Sequence, residues 1–115
     1  DNIYLDYYEE WGLILFELNL KTFIDVCRNI GAIPILLTQP RLVKKDNSQQ
    51  EKRSIGYHLQ GLNHSALYNS FIKCDSIIFN VGDKKIVEVF DLASKIESDL
   101  NHLSFVLDVF DKFAP

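Results

Sequence analysis

The run Ile33-Pro34-Ile35-Leu36-Leu37-Thr38 constrains this chain more than any other stretch. It is too short for a helix, and it lacks the alternation of a strand with one wet face. It therefore reads as a strand buried on both faces, as in parallel sheets. Pro34 is tolerated because a missing ladder donor is harmless near the start of a strand, and Gln39-Pro40 ends the run. Parallel strands cannot be joined by a tight hairpin and need a crossover, usually helical. The rest of the sequence must therefore supply helices to cover this strand and at least one strand to pair with it.

Upstream, Leu13, Phe16, Leu20, Phe23, Cys27 and Ile30 recur at steps of three and four, which predicts one amphipathic helix over 7–30. Asp6 and Glu9 have the spacing of a capping box, and Gly31 stands where a left-handed C-terminal cap is wanted. Gly12 costs ~1 kcal/mol inside that helix relative to Ala. Tyr4, Tyr7, Tyr8 and Trp11 cluster near its start and are predicted to pack against whatever precedes residue 1 rather than to stack on a ligand.

Downstream, Leu67, Phe71, Cys74, Ile78 and Val81 step by four, three, four and three. They predict a second core-facing helix over 64–81, with Gly82 as its stop. A competing reading makes Ile77-Ile78-Phe79 a strand hairpinned onto Ile86 through Gly82-Asp83-Lys84-Lys85. Ile86-Val87-Glu88-Val89-Phe90-Asp91 is a β-branched strand, and after Ser104 as cap Val106, Val109, Phe110 and Phe113 share one face of a final short helix. Between the first strand and the second helix, 41–61 is polar and irregular. A loop of that length leaving the carboxyl end of a parallel strand is placed where open α/β sheets bind ligands, as a lid or binding loop. Helices alternating with strands imply a parallel sheet covered on both faces with right-handed crossovers.

At 115 residues, 47% of them hydrophobic, the chain suffices for one core and one domain. A net charge of -4 without a basic stripe disfavours capture of nucleic acid or an anionic membrane, and no apolar run approaches the ~20 residues that span a bilayer. Cys27 and Cys74 fall within helical apolar patterns far apart in sequence, which favours buried free thiols over a bridge or a metal site. His58 and His64 lack partners at ligand spacing and read as surface histidines.

The stretch Ser98-Asp99-Leu100-Asn101-His102-Leu103-Ser104 carries chemistry. Asp99 and His102 are three apart in a turn, so the carboxylate can hold the near ring nitrogen and leave the far one to take a proton from a hydroxyl. The same residues also fit a capped surface turn. No serine of the chain has a nucleophile's context: Ser54, Ser65, Ser70, Ser76 and Ser94 follow no strand-to-turn glycine pattern, and Ser98 and Ser104 suit capping.

Asn19-Leu20 in the long helix, the block from Cys27 to Pro40, the strand end Val89-Phe90-Asp91-Leu92 and the block Asp99-Leu100-Asn101-His102-Leu103-Ser104, in that order, resemble the C-terminal part of the SGNH (GDSL-type) hydrolases. The resemblance implies an α/β fold, a flavodoxin-like three-layer sandwich with a parallel sheet, of which residues 1–115 would be an incomplete C-terminal part. It implies ester hydrolysis or deacetylation on a small-molecule or carbohydrate ester, without metal or organic cofactor. Asp99 and His102 would be two members of a Ser-His-Asp triad, the serine and the oxyanion hole coming from a missing N-terminal segment of the same domain. The chain by itself is then expected to be inactive. Most relatives place a glycine shortly after the histidine, where this chain reads Leu103-Ser104-Phe105-Val106. The alternative, from the element pattern alone, is a non-catalytic flavodoxin-like binding or interaction domain.

Overall fold

A computed structural model describes residues 3–97. The order of elements is α1 (Glu10–Asn29), β1 (Ile35–Leu37), α2 (Gln49–Arg53), α3 (Tyr57–Gln60), α4 (His64–Lys85), β2 (Glu88–Phe90) and α5 (Leu92–Glu97). The two long helices follow the three-four periodicity of their apolar residues. α1 turns Ile24 fully inward, with Phe16 and Leu20 beside it, and α4 contributes Ile78 and Val81; these residues close on Leu36 of β1 and Val89 of β2 to form the main core. β1 and β2 are parallel, with Leu36 opposite Val89, so the crossover that leaves β1 returns through α4, as parallel pairing demands.

The expected flavodoxin-like three-layer sandwich is not formed. Helix dominates the described residues, and their sheet has only two strands of three residues each. Both long helices pack on the face that carries Leu36 and Val89. On the opposite face Ile35, Leu37 and Phe90 are 50%, 54% and 52% exposed. The expectation failed because an unbroken apolar run says that both faces of a strand are greasy, and greasiness does not by itself provide a second cover. The long helical patterns claimed residues that the hairpin reading would have made strand: Ile77, Ile78 and Phe79 are helical.

Local differences have local causes. α1 begins at Glu10 with Glu9 as its N-cap and no side-chain capping bond, so the Asp6–Glu9 box does not form. Gly31 does adopt the left-handed conformation, φ 78°. α4 does not stop at Gly82. A Cβ there would run into the Val89 side chain, so this buried glycine lets helix and strand approach closely. The helix continues to Lys85 and ends with Ile86 in the left-handed region, φ 57°. Arg28 of α1 holds this corner by donating to the Lys85 and Ile86 carbonyls, and Lys85 reaches Asp25 at 3.1 Å.

The polar segment 41–61 is less irregular than expected, because it contains α2 and α3. A full capping box starts α2: the Glu51 N–H donates to Ser48 Oγ at 3.1 Å, and the Ser48 N–H donates to Glu51 Oε1 at 2.8 Å. Near the N-terminus, Leu5 pairs with the α3–α4 junction, its N–H donating to the Gly61 carbonyl at 2.9 Å and its carbonyl accepting from the Asn63 N–H at 2.8 Å. Asn63 caps α4 by accepting from the Ala66 N–H at 3.0 Å.

Candidate functional site

Thr38 and Asp91 follow the last residues of β1 and β2 and tie the two strand ends together. Thr38 is fully buried, and its hydroxyl has both roles filled: it donates to Asp91 Oδ1 at 2.8 Å and accepts from the Ala93 N–H at 2.9 Å. The Thr38 N–H donates to the Phe90 carbonyl at 3.1 Å, which extends the ladder by one bond. Asp91 Oδ1 also accepts from the Ser94 N–H at 3.3 Å, which starts α5. Segment 39–63 and the segment after Asp91 therefore leave the sheet from one edge, the carboxyl edge, where parallel α/β sheets hold their ligands.

Two further groups organise that edge. Arg41 forms a bidentate pair with Asp75 of α4, at 3.1 and 2.7 Å, and its guanidinium lies 5.1 Å from the centre of the Phe71 ring. Its Nε is buried without a partner among the described residues, so this arginine clamps the segment after β1 onto α4 rather than presenting donors to solvent. Cys74, next to Asp75, has its thiol pushed up by burial and by the Asp75 charge, against a smaller opposing effect of Arg41. That is the environment of an inert thiol. Cys27 and Cys74 are both free, and each is half-buried rather than buried as expected.

The second group surrounds an open cavity of about 310 Å³ lined by Tyr4, Gln49, Lys52, Tyr57, Asn63 and His64. The Tyr57 hydroxyl is 2.8 Å from His64 Nδ1, and His64 Nε2 is 2.7 Å from the Lys44 carbonyl oxygen. Read as a surface histidine, His64 is instead half-buried and bonded through both ring nitrogens. Tyr4 packs on Tyr57 with ring centres 6.5 Å apart, so it covers a neighbour within residues 3–97 and not only something outside them. Desolvation raises the Tyr57 phenol above its ordinary value, which keeps it a neutral donor. Lys44 meets Glu51 at 3.2 Å, and Glu51 is lowered to about 2, chiefly by the Ser48 N–H and next by Lys44.

Asp99 and His102 lie outside the described residues, as does the expected helix after Ser104. His58 belongs to α3 and has no role in the cavity lining. No group of three or more His, Cys, Asp or Glu side chains able to hold a metal ion occurs among the described residues, and no helix among them is long and apolar enough to cross a membrane. The Tyr57–His64 pair was missed in the sequence because the residues are seven apart across two helices; the Asn63 cap ahead of His64 was the available signal. Comparison with protein-family models, with curated proteins and with solved structures finds no match to this chain.

Proposed function

We propose that the chain contributes the acid–base half of a serine-dependent ester hydrolase, with His102 as the general base and Asp99 as the residue that orients it. The observation that supports this reading is the Thr38–Asp91 tie, by which the segment after Asp91 leaves the sheet from the same carboxyl edge as segment 39–63. Asp99 follows Asp91 by eight residues, six of them in α5. The serine and the oxyanion donors come from outside these 115 residues. His102 takes the serine proton as the ester is attacked and returns it to the leaving alkoxide, while Asp99 fixes the tautomer that leaves the far nitrogen basic.

The test has two arms. By proton NMR of the chain, the His102 ring N–H facing Asp99 should resonate far downfield and lose that signal in Asp99→Asn. In a protein that also carries the serine block, His102→Ala should lower turnover of a short-chain p-nitrophenyl ester by several orders of magnitude, and Asp99→Asn by up to ~10⁴-fold through the wrong tautomer. Unchanged turnover in either variant refutes the assignment.

A second reading, a non-catalytic binding or interaction domain, is favoured by the open sheet face of Ile35, Leu37 and Phe90, since contiguous exposed apolar surface commonly marks a contact site. It predicts that His102→Ala changes nothing, whereas a charge at Leu37 abolishes partner binding.

A further inference from the structure

The cavity bordered by α2, α3 and the first turn of α4 plays no part in the ester-hydrolase reading, yet its hydrogen bonds run in one direction only. The Lys44 carbonyl can only accept, so His64 Nε2, 2.7 Å away, carries a hydrogen. In a neutral ring Nδ1 is then an acceptor, and the Tyr57 hydroxyl at 2.8 Å donates to it. The protonation follows from the hydrogen-bond network rather than from visible hydrogens. A proton added at Nδ1 reverses the first bond: the imidazolium donates to the Tyr57 oxygen, and the hydroxyl hydrogen turns into the cavity.

The charges around His64 have a definite balance. Lys44 and Glu51, on the segment before α2 and on α2 itself, are paired at 3.2 Å and cancel. Lys52 of α2 lines the cavity and has no ion pair among the described residues. The remaining lining groups, Tyr4 from the N-terminal segment, Gln49, Tyr57 and Asn63, are uncharged. The net charge facing the cavity is therefore positive, and its walls offer hydroxyl and amide groups for hydrogen bonding.

We propose that this cavity binds a small molecule through a carboxylate or phosphate group, with Lys52 as the counter-charge, the Tyr57 hydroxyl as donor, and uptake of one proton at His64 Nδ1. The proton comes from solvent; the phenol keeps its own hydrogen and only redirects it, and no covalent bond forms or breaks. The negative ligand favours the imidazolium, and the imidazolium frees the donor that the ligand needs, so binding and proton uptake are linked. A volume of about 310 Å³ lies at the small end of ligand sites, which suits a compact anion.

Acetate and inorganic phosphate, each titrated separately into the 115-residue chain near neutral pH, are the probes. Saturable NMR shifts confined to Lys52, Tyr57, His64 and their neighbours are expected at about millimolar concentration. Calorimetry with acetate in buffers of different ionisation enthalpy should show close to one proton taken up. Lys52→Met should weaken binding about tenfold. Tyr57→Phe should abolish proton uptake with the helical circular dichroism unchanged. If that variant unfolds, ¹⁵N shifts of His64 in the parent chain report the same event, Nδ1 passing from acceptor to protonated on saturation. A response to one probe and not the other identifies the group recognised. Absence of saturable shifts with both probes, binding without proton uptake, or unchanged affinity in Lys52→Met overturns the proposal.

Discussion

Replacing Gly82 by Ala sets two effects of known size against each other. Inside a helix Ala is better than Gly by about 1 kcal/mol, and Gly82 lies three residues before the end of α4 without a left-handed backbone. Taken alone, the substitution should stabilise. The added Cβ, however, would fall well inside contact distance of Val89 Cγ2 and close to the Val87 carbonyl oxygen. Val89 is short and branched, sits on a strand that pairs with β1, and packs against the core of Ile24, Leu36, Ile78 and Val81, so it has little room to yield. Overpacking of this kind costs about 1–3 kcal/mol, and because the overlap is severe the upper half of that range applies. The net expectation is a loss of about 1–2 kcal/mol, the difference between those two contributions. Urea unfolding followed by far-ultraviolet circular dichroism would read it as a lower midpoint with an unchanged slope. The double variant Gly82→Ala, Val89→Ala isolates the cause: removing Cγ2 makes room for the new methyl, so the double variant should be more stable than the sum of the two singles by at least about 1 kcal/mol. A Gly82→Ala protein as stable as the parent, or two substitutions whose effects simply add, would show that helix and strand are not held at this separation.

Two other outcomes can be checked on the same chain. Thr38→Val keeps the shape of a fully buried side chain but leaves the Ala93 N–H without its acceptor and Asp91 without its hydroxyl donor; the expected cost is about 1–3 kcal/mol, read as a shift of the urea midpoint, and a neutral result would mean that the strand ends are not joined there. Glu51 is lowered from 4.5 to about 2 by the Ser48 N–H and then Lys44. Because its folded value is depressed, the stability it gives α2 is present above pH 4.5 and is lost as pH falls from 4.5 toward 2; the protection of the α2 amides, taken relative to their intrinsic exchange rates at each pH, should fall across that window in the parent and stay flat in Glu51→Gln.

The long helices were legible because a periodicity of three and four over some twenty residues has few other solutions, and the parallel pairing followed from two apolar runs separated by a helix. What escaped was whatever depended on a neighbour. Gly82 looks the same in sequence whether it ends a helix or lets one lie against a strand, and only the position of Val89 decides. Ser48 and Glu51 carried the spacing of a capping box inside a segment read as loop, and the signal was lost in its polar surroundings. Asp6 and Glu9 carried the same spacing and formed nothing, because α1 takes Glu9 as its N-cap instead. His64 was judged by its lack of metal-ligand spacing, which says nothing about a phenol seven residues earlier. The Asp99–His102 pair rests on sequence spacing alone.

The helix that covers the sheet is itself apolar on two sides. Phe16, Leu20 and Ile24 of α1 face the core, and Trp11, Ile14, Leu15, Leu18 and Val26, on the other side, are exposed, Trp11 by 65% and Leu18 by 55%. Exposed apolar surface of this kind commonly marks a contact site, so the outer side of α1 and the open sheet face are both surfaces that residues 3–97 leave uncovered. The functional readings use different parts of this arrangement. The proposed catalysis by Asp99 and His102 would draw on the carboxyl edge, where Thr38 and Asp91 tie the strand ends, and would treat the apolar faces as scaffold. Partner binding draws on the faces and needs nothing from the edge. Since Thr38 is buried and Leu37, its neighbour along β1, is half exposed on the open face, substitutions one residue apart separate the two: Thr38→Val disturbs the edge, whereas Leu37→Ser alters the face and leaves the Thr38–Asp91 bond in place.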